Sequence, residues 1–434
     1  MGLNSYNYFG FLVSDLNGVD NWKMVGRAMV TSGMKEAGYV YVNTDGGNSF
    51  SGRDGVYRPV NKNNVGIKNI CDYLHGIGMK MGVYICPPYL GFTDLPGAAK
   101  YMANEGVDFI KYDGWTGTVQ QNFVDMRDAL LASGRPILYS VNGSYGADLC
   151  HMWRTGQDIG AKWEWVMGCL NTATHGQGKP GAWTDPDILE VGNLPTDVED
   201  MTHFSLWCVS SAPLLAGNDP RRMYLSTHYV LMNTEAIAVD QDTAFSTNAS
   251  YGGSGKRIRS QGGVDVWCKT LTGGAKAVVI ANIGTSSQVS THFFKDDPSF
   301  ASVTSTVTWS EIGLSSGTAQ VRDLWEHKNL GSFTDKFTAT IPPRGCVFLK
   351  IVPGTTPIPE PSPTWYPKPE GFPDNDHTPI TPLPKKGWTV SENLVFTQQP
   401  LQNVIDDDPS TGIWGPAENQ QSQITIDMKT PQTF

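Results

Sequence analysis

Short apolar runs alternate with helical stretches through the first half of the chain, and no other feature constrains the fold as tightly. "AGYVYVNTD" ends at Asp45, "GMKMGVYIC" at Cys86, "VDFIKYD" at Asp113 and "RPILYSVNG" near Asn142. Between them lie "NNVGIKNICDYLHGIG" and "LPGAAKYMANEG", each closing on a glycine just before the next strand, as helix C-caps do. Such alternation predicts βα units and a parallel sheet. Continued through "WRTGQDI", "DILEVGN" and "APLLAGND", it gives about eight units by roughly Asp240, the length expected of a (β/α)8 barrel.

The texture changes after about Phe245. "VDVWCKTL", "KAVVIANI", "VTSTVTWSEI", "AQVRDLWE", "KFTATI" and "CVFLKIV" read as strands with Gly, Ser and Asn turns between them. The expectation is an antiparallel β-sandwich. The proline-dense stretch that follows reads as a semi-rigid linker. The tail from 388 resumes strand-like patterning, but at under about 50 residues it is small for a core of its own. The predicted organisation of the 434 residues is therefore a barrel over 1–245, a sandwich over 246–352, a linker over 353–387 and a truncated module over 388–434.

A net charge of -10 argues against nucleic acid or an anionic membrane as the main partner. No stretch approaches the roughly 18–20 apolar residues of a membrane span. The opening "MGLNSYNYFG" lacks the basic and apolar regions of a signal peptide, so the protein stays inside the cell or its leader is absent from this chain. The 7 cysteines are odd in number, form no CxxC or Cys/His zinc spacing, and sit mostly in apolar runs. Buried free thiols are expected, not a disulfide framework.

A parallel barrel carries its chemistry at the C-terminal ends of its strands. The residues there are Asp45, Lys111, Asp113, Asp158, Asp185 and Asp187, a crowd of acids with few bases. One strand-end aspartate is more often a helix cap or turn residue. Several together strain that reading. Glycoside hydrolysis needs a carboxylate pair, one to attack or stabilise and one to protonate the leaving oxygen. Of the 8 histidines only His151 lies beside these segments, so a metal site is not expected.

"KYDGWTG", "WRTGQDI", "WTDPDILEVGN" and "MTHFSLWCVSSAPLLAGND", with "MGLNSYNYFG", "AGYVYVNTDGG" and "AIAVDQD" in the same order, resemble glycoside hydrolase family 27, the α-galactosidase and α-N-acetylgalactosaminidase family. The resemblance runs from Met1 to about Val352. It implies an exo-acting retaining hydrolase on a (β/α)8 barrel, with Asp113 as nucleophile and Asp158 as acid/base. It further implies that Arg154 contacts the sugar 2-position and the acid/base, that Lys111 and Asp45 bind sugar hydroxyls, and that Asp187 lines the pocket. No metal or organic cofactor is implied. Lys111 lies on the same strand face as Asp113, and its charge is expected to favour the ionised nucleophile. Burial and Asp113 are expected to keep the proton on Asp158.

The chain departs from the family pattern at several places. Leu3 and Tyr6 stand where tryptophans are usual. Gly46 follows Asp45 in place of a second acid. Gly114 and Trp115 replace an Asn-Cys pair after the nucleophile, and Asn142, Gly143 and Ser144 occupy the segment that reads the 2-substituent. Trp115 and Asn142 are therefore candidate substrate contacts. The changes cluster on the side of the sugar 4- and 6-hydroxyls. The family also contains β-L-arabinopyranosidases and isomalto-dextranases, whose sugars suit an altered 6-wall. The expected activity is cleavage of terminal α-galactosyl residues, with those two as alternatives and an inactive carbohydrate-binding barrel as the rival from another class. The tail "WTVSENL", "NVIDDDPSTGIW" and "QITIDMKTPQTF" is similar to the opening of discoidin-like carbohydrate-binding modules. That similarity implies an oligosaccharide or polysaccharide substrate and an extracellular or periplasmic enzyme.

Overall fold

The computed structural model describes residues 1–9, 19–45, 50–51, 58–59, 67–87, 93–114, 120–143, 146, 148–172, 178–244, 254–285, 301–361, 389–392 and 424–427. Trp115 and Ser144, both singled out by sequence, lie outside these residues, as do Gly46 and most of the proline-rich stretch. The chain divides into two compact units, Met1–Asn375 and Asp376–Phe434.

Among the described residues, eight parallel strands form the core of the first unit: β1 (Gly2–Asn4), β2 (Tyr41–Asn43), β3 (Lys80–Ile85), β4 (Phe109–Tyr112), β5 (Leu138–Val141), β6 (Met152–Arg154), β7 (Trp183–Asp185) and β8 (Leu215–Ala216). From β1 to β7 each pairs with its sequence neighbour, and β8 pairs with β1. A parallel bridge between Leu189, just beyond β7, and Ala216 in β8 closes the ring. The alternation of strand and helix was enough to foresee this (β/α)8 barrel. The bridge lies in "DILEVGN", which the alternation counted as a unit, whereas the strand itself is Trp183–Asp185 just before it.

Alternation along each strand sets the site. In β4, Ile110 and Tyr112 face the outer helices, and the Tyr112 ring lies 4.7 Å from that of Phe123 on α4 (Gln120–Ala132). Lys111 and Asp113 therefore face the barrel axis. The register carries the same layer around the barrel, since Lys111 pairs with Tyr84 of β3 and Ser140 of β5.

The helices follow local rules. The other four of the first five are α1 (Val19–Thr31), α2 (Lys68–Gly76), α3 (Leu95–Glu105) and α5 (Trp163–Thr172). In α3, the Asp94 side chain accepts a hydrogen bond from Gly97 N at 2.9 Å, and proline occupies the first turn. Gly106 ends the helix at φ +92°, a conformation favourable only for glycine. The helix α6 (Asp197–Ser210) opens on Thr196 and Glu199, which cap it reciprocally.

The second layer is antiparallel. A six-stranded sheet runs in the order β9 (Lys256–Gln261), β10 (Val264–Thr270), β11 (Lys276–Asn282), β16 (Cys346–Pro353), β13 (Thr318–Asp323), β14 (Lys328–Thr334). A two-stranded sheet pairs β12 (Val303–Thr308) with β15 (Lys336–Ile341). One face of the large sheet (Trp267, Ala277, Val279, Ala281, Phe348) joins the barrel core. Its other face (Val266, Val278, Ile280, Leu349, Ile351) packs with Val307, Trp309, Phe337 and Ile341. Burial on both faces is why "KAVVIAN" is apolar without interruption. The helix α6 lies between barrel and sheet and is buried almost all round. There Glu199 pairs with Arg344 at 2.6 Å, with both side chains out of solvent.

All 7 thiols are free, as expected, and five are buried. In the second unit the described residues form one antiparallel pair, Thr389–Glu392 with Ile424–Asp427. Among the described residues, no helix is long and apolar enough to cross a membrane.

Candidate active site

Asp113 follows β4 directly, and its backbone N–H donates to Ile85 O at 2.8 Å, so its Cα is fixed by the sheet. Its carboxylate accepts two hydrogen bonds from neighbouring strands. Tyr84 OH donates to Oδ2 at 2.8 Å, and Asn142 Nδ2 donates to Oδ1 at 2.6 Å. Burial raises the Tyr84 phenol, and the Asp113 charge and their hydrogen bond raise it further, so Tyr84 remains a donor. Tyr84 escaped the reading of the sequence. The available signal was a polar-tipped aromatic one residue from the end of an apolar strand.

Lys111 does not serve Asp113 by direct contact. Its Nζ donates to Asp45 Oδ2 at 2.6 Å. Burial alone would depress the ammonium, but Asp45 and Asp187 overcome that and raise its pKa. Asp45 also accepts from Asn4 Nδ2 at 2.7 Å, and Ser5 Oγ accepts from its backbone N–H at 2.9 Å. Asp45 is thus held by the end of β1 as well as by β4.

Arg154, at the end of β6, is buried between two acids. It lies 2.9 Å from Asp187 Oδ2 and 3.1 Å from Asp158 Oδ1. Burial opposes its charge, and Asp187, Asp185 and Asp158 together raise its pKa. The burial expected of Asp158 is not found, since its side chain is 74% exposed. Asp158 sits on a loop past β6, where Arg154, among the described residues, restrains it from below.

Asp187 is the most constrained residue of the group. Its φ is +96°, a left-handed conformation that costs a non-glycine residue about 1–3 kcal/mol. Surrounding bonds hold it there. Asp185 Oδ1 accepts from its N–H at 2.9 Å, and its carbonyl accepts from Trp207 Nε1 at 2.8 Å. Its carboxylate accepts from the backbone N–H groups of Ile159 and Ile188. Asp185 is buried beside it, and burial and the Asp187 charge raise its pKa while Arg154 lowers it. Asp185 is thus a support for Asp187, and Trp207 is a second one that sequence reading missed.

Two layers result. Asp45, Lys111, Arg154 and Asp187 form a nearly solvent-free base of paired charges, while Asp113 and Asp158 reach toward the opening. The Tyr6 phenol lies within the fields of Asp158, Asp45 and Asp113, which raise its pKa after burial does. Its position ties β1 to the same opening. Such a site offers one hydrogen-bonded carboxylate and one exposed carboxylate above a hydroxyl-binding floor, the equipment for acid/base and nucleophilic work on a polyhydroxylated ligand.

The family described as alpha galactosidase A matches residues 19–242, and the alpha galactosidase C-terminal beta sandwich domain matches residues 261–351. The chain is 34% identical over 371 residues to Alpha-galactosidase 2 of Arabidopsis thaliana, covering 80% of this chain and 87% of that one. It is 33% identical over 380 residues to the alpha-galactosidase of Cyamopsis tetragonoloba, covering 81% and 86%. The crystal structure of alpha-galactosidase I from Mortierella vinacea superposes with a TM-score of 0.70 at 25% identity, covering 82% of this chain and 98% of that one. With the barrel and the antiparallel domain in the order these relatives share, the chain belongs to glycoside hydrolase family 27 and is a glycoside hydrolase.

Proposed function

We propose that the protein removes terminal α-galactosyl residues from oligosaccharides by double displacement. The observation that carries this reading is Asp113. It is a carboxylate fixed by Tyr84 and Asn142 beside a floor of paired charges, with an exposed second acid, Asp158, held by Arg154. The Asp113 carboxylate attacks the anomeric carbon while Asp158 gives its proton to the leaving oxygen, and the glycosidic C–O bond breaks. In the second step water attacks the glycosyl ester. Asp158 takes a proton from that water, and Asp113 leaves as carboxylate with the anomeric configuration retained. Asp45, Lys111, Arg154 and Asp187 bind the sugar hydroxyls. Asn142, tied to Asp113, reaches the 2-position side. Trp115 would wall the 6-position.

Relatives named α-galactosidases support the sugar assignment. A second reading rests on Gly46, which follows Asp45 where the family usually has another acid. An opened 6-wall would suit an isomaltose-releasing glucanase or a β-L-arabinopyranosidase. A panel of aryl α-galactoside, α-N-acetylgalactosaminide, β-L-arabinopyranoside and α-glucoside, with dextran oligomers alongside, decides between them. Fastest hydrolysis of the α-galactoside supports the first reading. Silence there with isomaltose released from dextran overturns it. The tail from 388, read as the start of a carbohydrate-binding module, fits an exported enzyme acting on polymers.

A further inference from the structure

Trp165 stands apart from its own helix. In α5, Trp163, Val166, Met167, Cys169 and Leu170 are buried, while Trp165 in the first turn is 42% exposed. Its indole lies against Gly160. A Cβ at Gly160 would fall 2.7 Å from Trp165 Cε3 and 3.1 Å from Cζ3, so a side chain there would push the ring away. The missing side chain gives the indole a flat seat on backbone. One ring face is supported in this way, while the residue keeps a large exposed area at the C-terminal rim of the barrel.

The seat is two residues from Asp158. Between them, Ile159 is tied twice to the interior: its N–H donates to Asp187 Oδ2 at 2.9 Å, and its carbonyl accepts from Asn7 Nδ2 at 3.2 Å. Asn7 also donates to Glu190 Oε1. The β1 loop and the β6 loop are thereby stitched together. Next to Asn7, in the short helical turn Tyr6–Phe9 that follows β1, Tyr8 is 47% exposed, its ring edge-on to Phe9 at 4.9 Å. Two exposed aromatics thus flank the stitch, on a segment anchored to the same Asp187 that the sugar floor uses.

A general acid must lie within hydrogen-bond reach of the glycosidic oxygen it protonates. Whatever leaves therefore begins at Asp158 and extends outward from it. A pyranose presents an apolar C–H face, and aromatic faces are its usual partners in water. We propose that Trp165, with Tyr8 on the segment stitched to it through Asn7, forms the subsite for the leaving group, stacking the sugar ring attached through the scissile oxygen. The site then favours galactosyl units carried on another sugar over small or non-cyclic leaving groups. This inference rests on the α-galactoside reading above, and on Asp158 as the acid.

The test compares kcat/KM for an α-1,6-galactosyl disaccharide with that for α-galactosyl fluoride, whose leaving group has no ring to stack. In Trp165→Ala the disaccharide-to-fluoride ratio is expected to fall about tenfold, chiefly through KM for the disaccharide. Trp165→Phe is expected to recover most of it, and Tyr8→Ala to lower it about two- to threefold. An unchanged ratio in Trp165→Ala with an active wild type overturns the subsite and leaves the functional reading standing. An equal fall on both substrates makes Trp165 a support for the Asp158 loop and also overturns the subsite. A wild type silent on both substrates overturns the α-galactoside reading, and the subsite with it.

Discussion

Two groups of carboxylates in this protein have surroundings that differ completely. At the barrel mouth, Asp113 and Asp158 are fixed by neutral donors or by one arginine and reach toward solvent. Around α6, Glu199 is sealed between the barrel and the six-stranded sheet, Glu190 and Asp200 are buried as well, and burial raises the pKa of each. Both groups were selected from the same residue types. The mouth acids are open to solvent, and the α6 acids meet the protein. Glu199 meets Arg344, Asp200 accepts from Gly192 N at 2.8 Å, and Glu190 accepts from Asn193 and Asn7. Access to solvent, and not acidity, separates reagent from strut.

Replacing acids in each group should break that comparison if it is wrong. Asp113→Asn should lower turnover of an activated α-galactoside by about 10⁴-fold while the thermal midpoint stays close to wild type. Unchanged turnover would remove Asp113 from the mechanism. Asp158→Ala should lose about 10²–10³-fold on sugar leaving groups and regain activity with added azide on aryl substrates. Absence of rescue, with the fold intact by circular dichroism, would count against its acid/base role.

The buried group should respond in the opposite way. Arg344→Ala leaves Glu199 charged and unpaired in the interior and should destabilise the protein by about 3–5 kcal/mol, read by urea unfolding. Activity per folded molecule should change little. A loss of turnover at full stability would show that the α6 acids act on the site directly.

The smallest effect belongs to His203, which sits among these acids. Its Nε2 accepts from Glu190 N at 2.9 Å, an arrangement open only to the neutral ring. Burial pushes its pKa from 6.5 down to about 3. The folded value is depressed, so its contribution is complete above pH 6.5 and is lost as pH falls toward 3. Over that window unfolding should take up one proton at this residue, about 1.4 kcal/mol per pH unit. His203→Gln should remove that slope, measured as the pH dependence of the unfolding free energy, although it lowers stability at neutral pH.

Much of this was legible from residue order. Alternating strands and glycine-ended helices call for a parallel sheet with helices covering it, and about eight such units match the length of a closed barrel. The acids at strand ends followed, and so did the antiparallel strands after Phe245. Two of those strands, Lys256–Gln261 and Lys328–Thr334, went unread, because their charged and polar residues give no apolar run to find. Side-chain partnership was less visible. Lys111 and Asp113 are two residues apart, which made them look like partners, yet the ammonium turns to Asp45, 66 residues away in sequence.

The sequence by itself determined which residues stand at strand ends, since a period of two and a turn position are local properties. Tertiary structure alone decided which of them touch. Tyr84 and Asn142 reach Asp113 from flanking strands, Asn4 reaches Asp45 from the neighbouring strand β1, and Trp207 holds the left-handed Asp187 from a helix behind it. Only the tertiary fold left Asp158 exposed and Glu199 sealed. Burial depends on what packs above a residue, and the cover over Glu199 includes Arg344, 145 residues downstream in sequence.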